Sequence, residues 1–138
     1  MSPEGESPQK VGEAIEKFAL KEAEFKKISS LSKGFRQRLS LAQCFLKSPS
    51  VYVLDEPASG LDPSQISQMR AFVGEAKKSA AVIVSTHLVQ EALAIGDKIF
   101  IMERGRLVAQ GTPDEIAIQA EEPNLERAFL KIAGKCDA

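Results

Sequence analysis

The sequence predicts an α/β fold with a mostly parallel sheet. Two short apolar runs carry that prediction, Val51-Tyr52-Val53-Leu54 and Ala81-Val82-Ile83-Val84. Both are rich in β-branched side chains and bounded by turn residues, the pattern of strands buried on both faces. A helix with a strong start signal, Asp62-Pro63, lies between them, and strand–helix–strand order is that of a parallel connection. The third observation is bulk composition: 138 residues, 43% hydrophobic and 27% charged, suit one soluble globular domain.

The elements follow in order. Residues 1–9 read as a ragged, solvated start. From Val11 the apolar residues Val11, Ala14, Ile15 and Phe18 recur at helical spacing. Residues 20–27 form a polar connection with room for a helical turn. A second helix spans residues 32–46 with Leu39, Ala42, Phe45 and Leu46 on its apolar face, and Pro49 prevents its continuation. After the first strand, Asp62 caps a helix that has Pro63 in its first position and runs to about Lys78. The second strand leads to a helix over residues 88–95 that stops at Gly96. Residues 98–102 and 107–110 form two strands around a tight turn at residues 103–106. Thr112-Pro113-Asp114-Glu115 is a capping box that starts another helix. A final amphipathic helix, residues 124–132, puts Leu125, Ala128, Phe129 and Ile132 on one face.

Charge narrows the function classes. Eighteen Lys and Arg against nineteen Asp and Glu leave a net charge of -1, so the basic footprint of general nucleic-acid binding is missing. No apolar run approaches the ~20 residues that span a bilayer, and the start MSPEGESPQK is too acidic and polar for a secretory leader. Two cysteines, Cys44 and Cys136, make neither a zinc nor a disulfide framework, which points to a reducing, cytosolic compartment. Cys44 lies near core positions of its helix and Cys136 in a tail, so neither is assigned a catalytic role.

Four segments carry chemistry. Val51 to Leu54 runs directly into Asp55-Glu56-Pro57, and ligands gather at the carboxyl ends of parallel strands. Neighbouring residues on an extended chain point apart, so one acid can serve a Mg²⁺ shell and the other an attacking water. Taken alone, the same residues also make a strand followed by a polar turn. Ser32-Lys33-Gly34 opens a helix, where free N–H groups and the positive dipole end attract phosphate. An ordinary serine cap reads identically, and Arg36 and Arg38 behind it read equally as a solvated face. His87 follows Ser85-Thr86 at the end of the second strand, and a capping or surface histidine is the plainer reading. Ser59-Gly60-Leu61-Asp62 is a tight loop after the acids, with Asp62 as the helix cap.

Together, in this order, the segments resemble the ATP-binding subunits of ABC transporters over nearly the whole chain from Val11 onward. Residues 31–38, LSKGFRQR, resemble the signature motif, and residues 51–57 the Walker B strand with its following acid. Residues 59–62 look like the D-loop and residues 85–87 like the switch histidine segment. Residues 105–107 and 110–116 look like the hairpin and helix that close the domain. The resemblance implies part of a P-loop NTPase (RecA-like) core plus the end of the ABC helical subdomain. On this reading residues 1–10 are a ragged N-terminus, 11–48 end the helical subdomain, and 49–138 form the C-terminal part of the ATPase core.

The resemblance also implies roles. Asp55 would hold Mg²⁺ through water, and Glu56 would be the general base. His87 would contact the γ-phosphate. Ser32, Lys33 and Gly34 would clamp ATP held by a second ATPase subunit, and Asp62 would cross that interface. The implied cofactors are ATP and Mg²⁺, the implied partner is an integral membrane permease, and the implied location is cytoplasmic, peripheral on the inner face of the membrane. Lys33 and Phe35 stand where the family usually has Gly and Gln, and Lys33 with Arg36-Gln37-Arg38 resembles a bacterial exporter branch. Phe35 cannot complete the reciprocal cap that a Gln would make with Ser32.

No G-x-x-x-x-G-K-[ST] loop occurs in the 138 residues. In the family that loop lies upstream of the signature, so the chain resembles only the second half of such an ATPase. The expectation is that it does not hydrolyse ATP alone and leaves apolar strand faces uncovered. A truncated or split gene product, a separate chain supplying the Walker A half, and an inactive remnant or interaction module all account for this. A non-transport ABC ATPase of the repair or translation kind is the other alternative. Repair-type members carry long heptads before the signature, and residues 1–30 contain none.

Overall fold

A computed structural model describes residues 7–134. The chain divides into two compact units, Met1–Ser85 and Thr86–Ala138. Cys136 and residues 1–6 lie outside the described residues.

The first unit begins with helix α1, Pro8–Lys17. It starts three residues before Val11 because Pro8 at the first helical position is already set for the helix. Ala14 and Phe18 are buried, whereas Val11 is not. Short 3₁₀ turns at Lys21–Ala23 and Ile28–Ser30 lead to helix α2, Lys33–Lys47. Ser32 caps α2 by accepting the Phe35 N–H. Ser48 in the left-handed region ends it, one residue before Pro49.

The buried face of α2 is rotated from the one read in the sequence. Leu41, Ala42 and Arg38 are buried, while Leu39, Phe45 and Leu46 are only partly so. Arg38 belongs to no solvated face: it is 7% exposed and its Nη1 donates to Phe18 O at 3.2 Å and Ala19 O at 2.6 Å. It satisfies carbonyls at the end of α1 that the helix leaves without partners. Phe35, which cannot return a bond to Ser32, stacks instead under the Arg38 guanidinium at 4.2 Å.

Strand β1, Val51–Asp55, and strand β2, Ala81–Ser85, pair in parallel, joined through helix α3, Pro63–Ala76. Asp62 and Gln65 form a full capping box at the start of α3. Tyr52 and Leu54 face inward, and an edge-to-face aromatic chain runs from Tyr52 to Phe72, Phe18 and Phe45. Burial on both faces is not what forms. Val53 is 71% and Ile83 59% exposed, together with Val51 and Ala81 on the same side. Alternate residues point to opposite faces, and packing covers only the Tyr52–Leu54 side.

The second unit contains helix α4, Val89–Ile95, then strands β3, Ile99–Glu103, and β4, Arg106–Gly111. They pair as an antiparallel hairpin, so the parallel part of the fold is the β1–β2 pair. The β3–β4 hairpin's two turn residues, Arg104 and Gly105, both have positive φ, 48° and 77°, as the primed hairpin turns require. Helix α5, Pro113–Gln119, carries the expected Thr112–Glu115 capping box. With helix α6, Leu125–Gly134, it closes a core of Ile101, Ile116, Leu125 and Ala128, against which Phe129 and Ile132 pack. No helix among the described residues is long and apolar enough to cross a membrane.

Candidate functional site

The parallel register brings Asp55 opposite Ser85 at the carboxyl end of the pair. The Ser85 hydroxyl donates to Asp55 Oδ1. Glu56 follows with φ of 45°, in the left-handed region that costs a non-glycine residue roughly 1–2 kcal/mol. That conformation ends the strand at Asp55. It is held because the Glu56 N–H donates to Ser85 O at 3.0 Å and reaches Ser85 Oγ at 3.3 Å. The loop beyond it is a tight turn, with the Ser59 N–H donating to Glu56 O at 2.9 Å.

The N-terminal part of α2 packs against this same loop. Gln37 Nε2 donates to Pro57 O at 3.2 Å and Glu56 O at 3.4 Å. Lys33 Nζ donates to Ser59 Oγ at 2.8 Å. A Cβ on Gly34 would stand 3.0 Å from Gly60 O, so this glycine admits a neighbouring backbone of its own chain. Gly60 has φ of 76°, and a Cβ there would lie 3.1 to 3.4 Å from the Lys33 stem. Asp62 is committed to its cap, accepting the Gln65 N–H at 2.9 Å.

Six of the seven sequence-predicted residues therefore lie in the first unit. Ser32, Lys33 and Gly34 form one edge of a contact zone, and the loop from Asp55 through Glu56 to Asp62 forms the other. His87 belongs to the second unit, exposed, two residues after β2 and two before α4. Ser85 and Gln37 are the members the sequence reading did not single out as partners of the acids. The order Asp55…Ser85 at equal depth in two parallel strands is a signal that finds Ser85. No local pattern finds Gln37.

Asp55 is exposed at the open edge of the pair, and its second carboxylate oxygen has no partner among the described residues. A single carboxylate beside a hydroxyl fits Mg²⁺, which keeps several waters and takes one or two protein oxygens. Among the described residues no three His, Cys, Asp or Glu side chains gather as a site binding metal through protein ligands alone would need. An open hollow of ≈ 360 Å³, lined by Lys17, Phe45, Tyr52, Phe72 and Glu75, lies at the opposite end of β1 from the acids.

The family model described as ABC transporter matches residues 3–59. The Bacillus subtilis protein YhcH, an uncharacterized ABC transporter ATP-binding protein, is 40% identical over 114 residues, which is 80% of this chain and 37% of that one. The Escherichia coli protein YbhF, a probable multidrug ABC transporter ATP-binding protein, is 34% identical over 130 residues, 90% of this chain and 22% of that one. A solved ATP binding subunit of an ABC transporter superposes with a TM-score of 0.82 at 29% identity, covering 93% of this chain and 56% of its own. The chain thus spans well under half the length of these two relatives. Motif order, parallel-strand geometry and these likenesses converge: the chain belongs to the ABC transporter ATP-binding protein family.

Proposed function

We propose that these residues form part of the ATP-binding, ATP-hydrolysing subunit of a bacterial ABC transporter, an exporter. The observation that carries the reading is the acid pair Asp55–Glu56 leaving β1 at the carboxyl end of a parallel pair, braced by Ser85 and by Gln37 of α2. The multidrug description of YbhF and the Lys33, Arg36-Gln37-Arg38 pattern favour export.

In this reading Glu56 accepts the proton of the water that attacks the γ-phosphate, and Asp55 would hold Mg²⁺ through water. Mg²⁺, when bound, neutralises charge developing on the phosphate oxygens. His87 donates to the γ-phosphate. Ser32, Lys33 and Gly34 present donors at the N-terminus of α2 to nucleotide held by a second subunit, across an interface that includes Asp62. A membrane permease is the further partner, which places the assembly at the inner face of the membrane. The subdomain division at residues 11–48 and 49–138 belongs to the same proposal.

The test uses a complete subunit containing these residues together with a phosphate loop. Glu56→Gln should slow hydrolysis by ~100-fold or more, on the usual scale of general-base contributions, while ATP binding survives. Near-normal turnover would move the base elsewhere. The 138 residues by themselves should not turn over ATP, because their sequence contains no Gly-Lys-Ser/Thr loop. Turnover by that chain, abolished by Glu56→Gln, would refute this part.

A further inference from the structure

Lys33 stands where the family signature usually has glycine, so its side chain makes contacts that a glycine there could not make. Its stem lies over Gly60, 3.1 to 3.4 Å from where a Cβ would be, and its ammonium donates to Ser59 Oγ at 2.8 Å. The Ser59 N–H in turn donates to Glu56 O, which also accepts from Gln37 of α2. A closed path of bonds thus runs from the first turn of α2 to the loop after β1 and back to α2. Gly60 is matched to it twice: its positive φ suits glycine, and a side chain there would meet the lysine.

We propose that Lys33 is a positioning residue that latches the first turn of α2 to the Ser59–Gly60 turn and so holds the backbone of Glu56 at one fixed spacing from Ser32. The ammonium has three donors, so a bond to Ser59 is compatible with a further bond to phosphate. The consequence for hydrolysis rests on the reading of Glu56 as the base. The latch itself does not, because it is a property of one chain without nucleotide chemistry.

The test is amide hydrogen exchange on the 138-residue chain, with no ATP present. In the wild type, the Ser59 and Leu61 amides, bonded to Glu56 O and Ala58 O, should be protected. Lys33→Met keeps the stem and removes the donor. It should raise exchange at these two amides about threefold to tenfold, the scale of one net hydrogen bond. Ser59→Ala should give the same rise, and the double variant should add nothing further. Lys33→Arg, which keeps a cationic donor, should restore most of the protection. If Lys33→Met also loosens the Tyr52 and Leu54 amides, its effect is global, and Ser59→Ala then decides by reproducing the local rise or not. Ser59 and Leu61 amides left unprotected in the wild type beside protected Tyr52 and Leu54 amides, no change in either single variant, or additive effects would each overturn the latch. The complete subunit with a phosphate loop, kept free of ATP, gives the same readout where the 138 residues do not protect Tyr52 and Leu54. Failure of the ATP-hydrolysis test would leave these outcomes untouched, so the two proposals fail separately.

Discussion

In the Thr86–Ala138 unit, β3 and β4 are neighbours in sequence, joined by a two-residue turn, and α5 starts directly after β4 from a capping box. In the Met1–Ser85 unit, β1 and β2 meet only through α3, and the core is assembled from α1, α2 and α3 against one face of the pair. The second unit is thus specified by signals a few residues long, and the first by contacts between distant segments. The candidate chemistry divides the same way. His87 sits where a local pattern puts it, after a strand. The acids owe their setting to Ser85 and Gln37, both far away in the chain. Non-local contacts are the more demanding to form, because loop-closure entropy is spent before they stabilise anything.

Core truncation tests the contrast with the largest expected effect. Phe72→Ala removes the ring that joins Tyr52 to Phe18 and should cost about 3–5 kcal/mol, with protection lost across α1, α3 and β1. Ile116→Ala, at a fully buried position in the other core, should cost about 2–5 kcal/mol and act on β3, β4, α5 and α6. Residue-resolved hydrogen exchange checks both, and loss of protection in both units from either substitution would break the comparison.

A smaller effect follows from Arg38→Met. It leaves the Phe18 and Ala19 carbonyls without their donor and should cost about 1–3 kcal/mol in the first unit, read by denaturant unfolding. A cost within measurement error would mean that Arg38 merely fills space. Thr112→Ala sharpens the other side: loss of one cap should cost ~1 kcal/mol and raise exchange only in the first turn of α5.

The smallest effect is electrostatic. The hydrogen bond from Lys78, followed by its charge, holds the Glu75 carboxyl below its ordinary range. A depressed folded-state pKa contributes stability above the unfolded value, lost as pH falls through the folded one. The pair is fully solvated, so Lys78→Met should return the Glu75 titration toward normal by NMR without a measurable change in Tm. A clear drop in Tm would show that this surface pair matters to the first unit's assembly.

How much was legible depended on the range of the interaction. Ser32, Asp62 and Thr112 were readable as caps because each bonds an N–H three residues on. The hairpin was readable because Arg104-Gly105 sits between apolar runs and accepts positive φ. The acids were readable at the end of β1 because a β-branched apolar run predicts a strand and Asp55-Glu56 follows it directly. Covering of the strands was not, since an apolar run states what a strand can bury and not what packs on it. Val53 and Ile83 remain exposed for that reason. The burial of Arg38 was hidden as well, because a guanidinium in a polar run looks solvated until two backbone carbonyls arrive from α1.

The sequence by itself determined the element order, the helix starts, the hairpin turn and the residue types available for chemistry, because these depend on backbone preferences and on bonds spanning three or four residues. Only the tertiary structure decided which face of β1 and β2 is covered, that Ser85 and Gln37 brace the acid pair, and that Lys33 reaches Ser59. Those contacts join segments tens of residues apart, and no local energy term distinguishes them from the alternatives until the chain has closed.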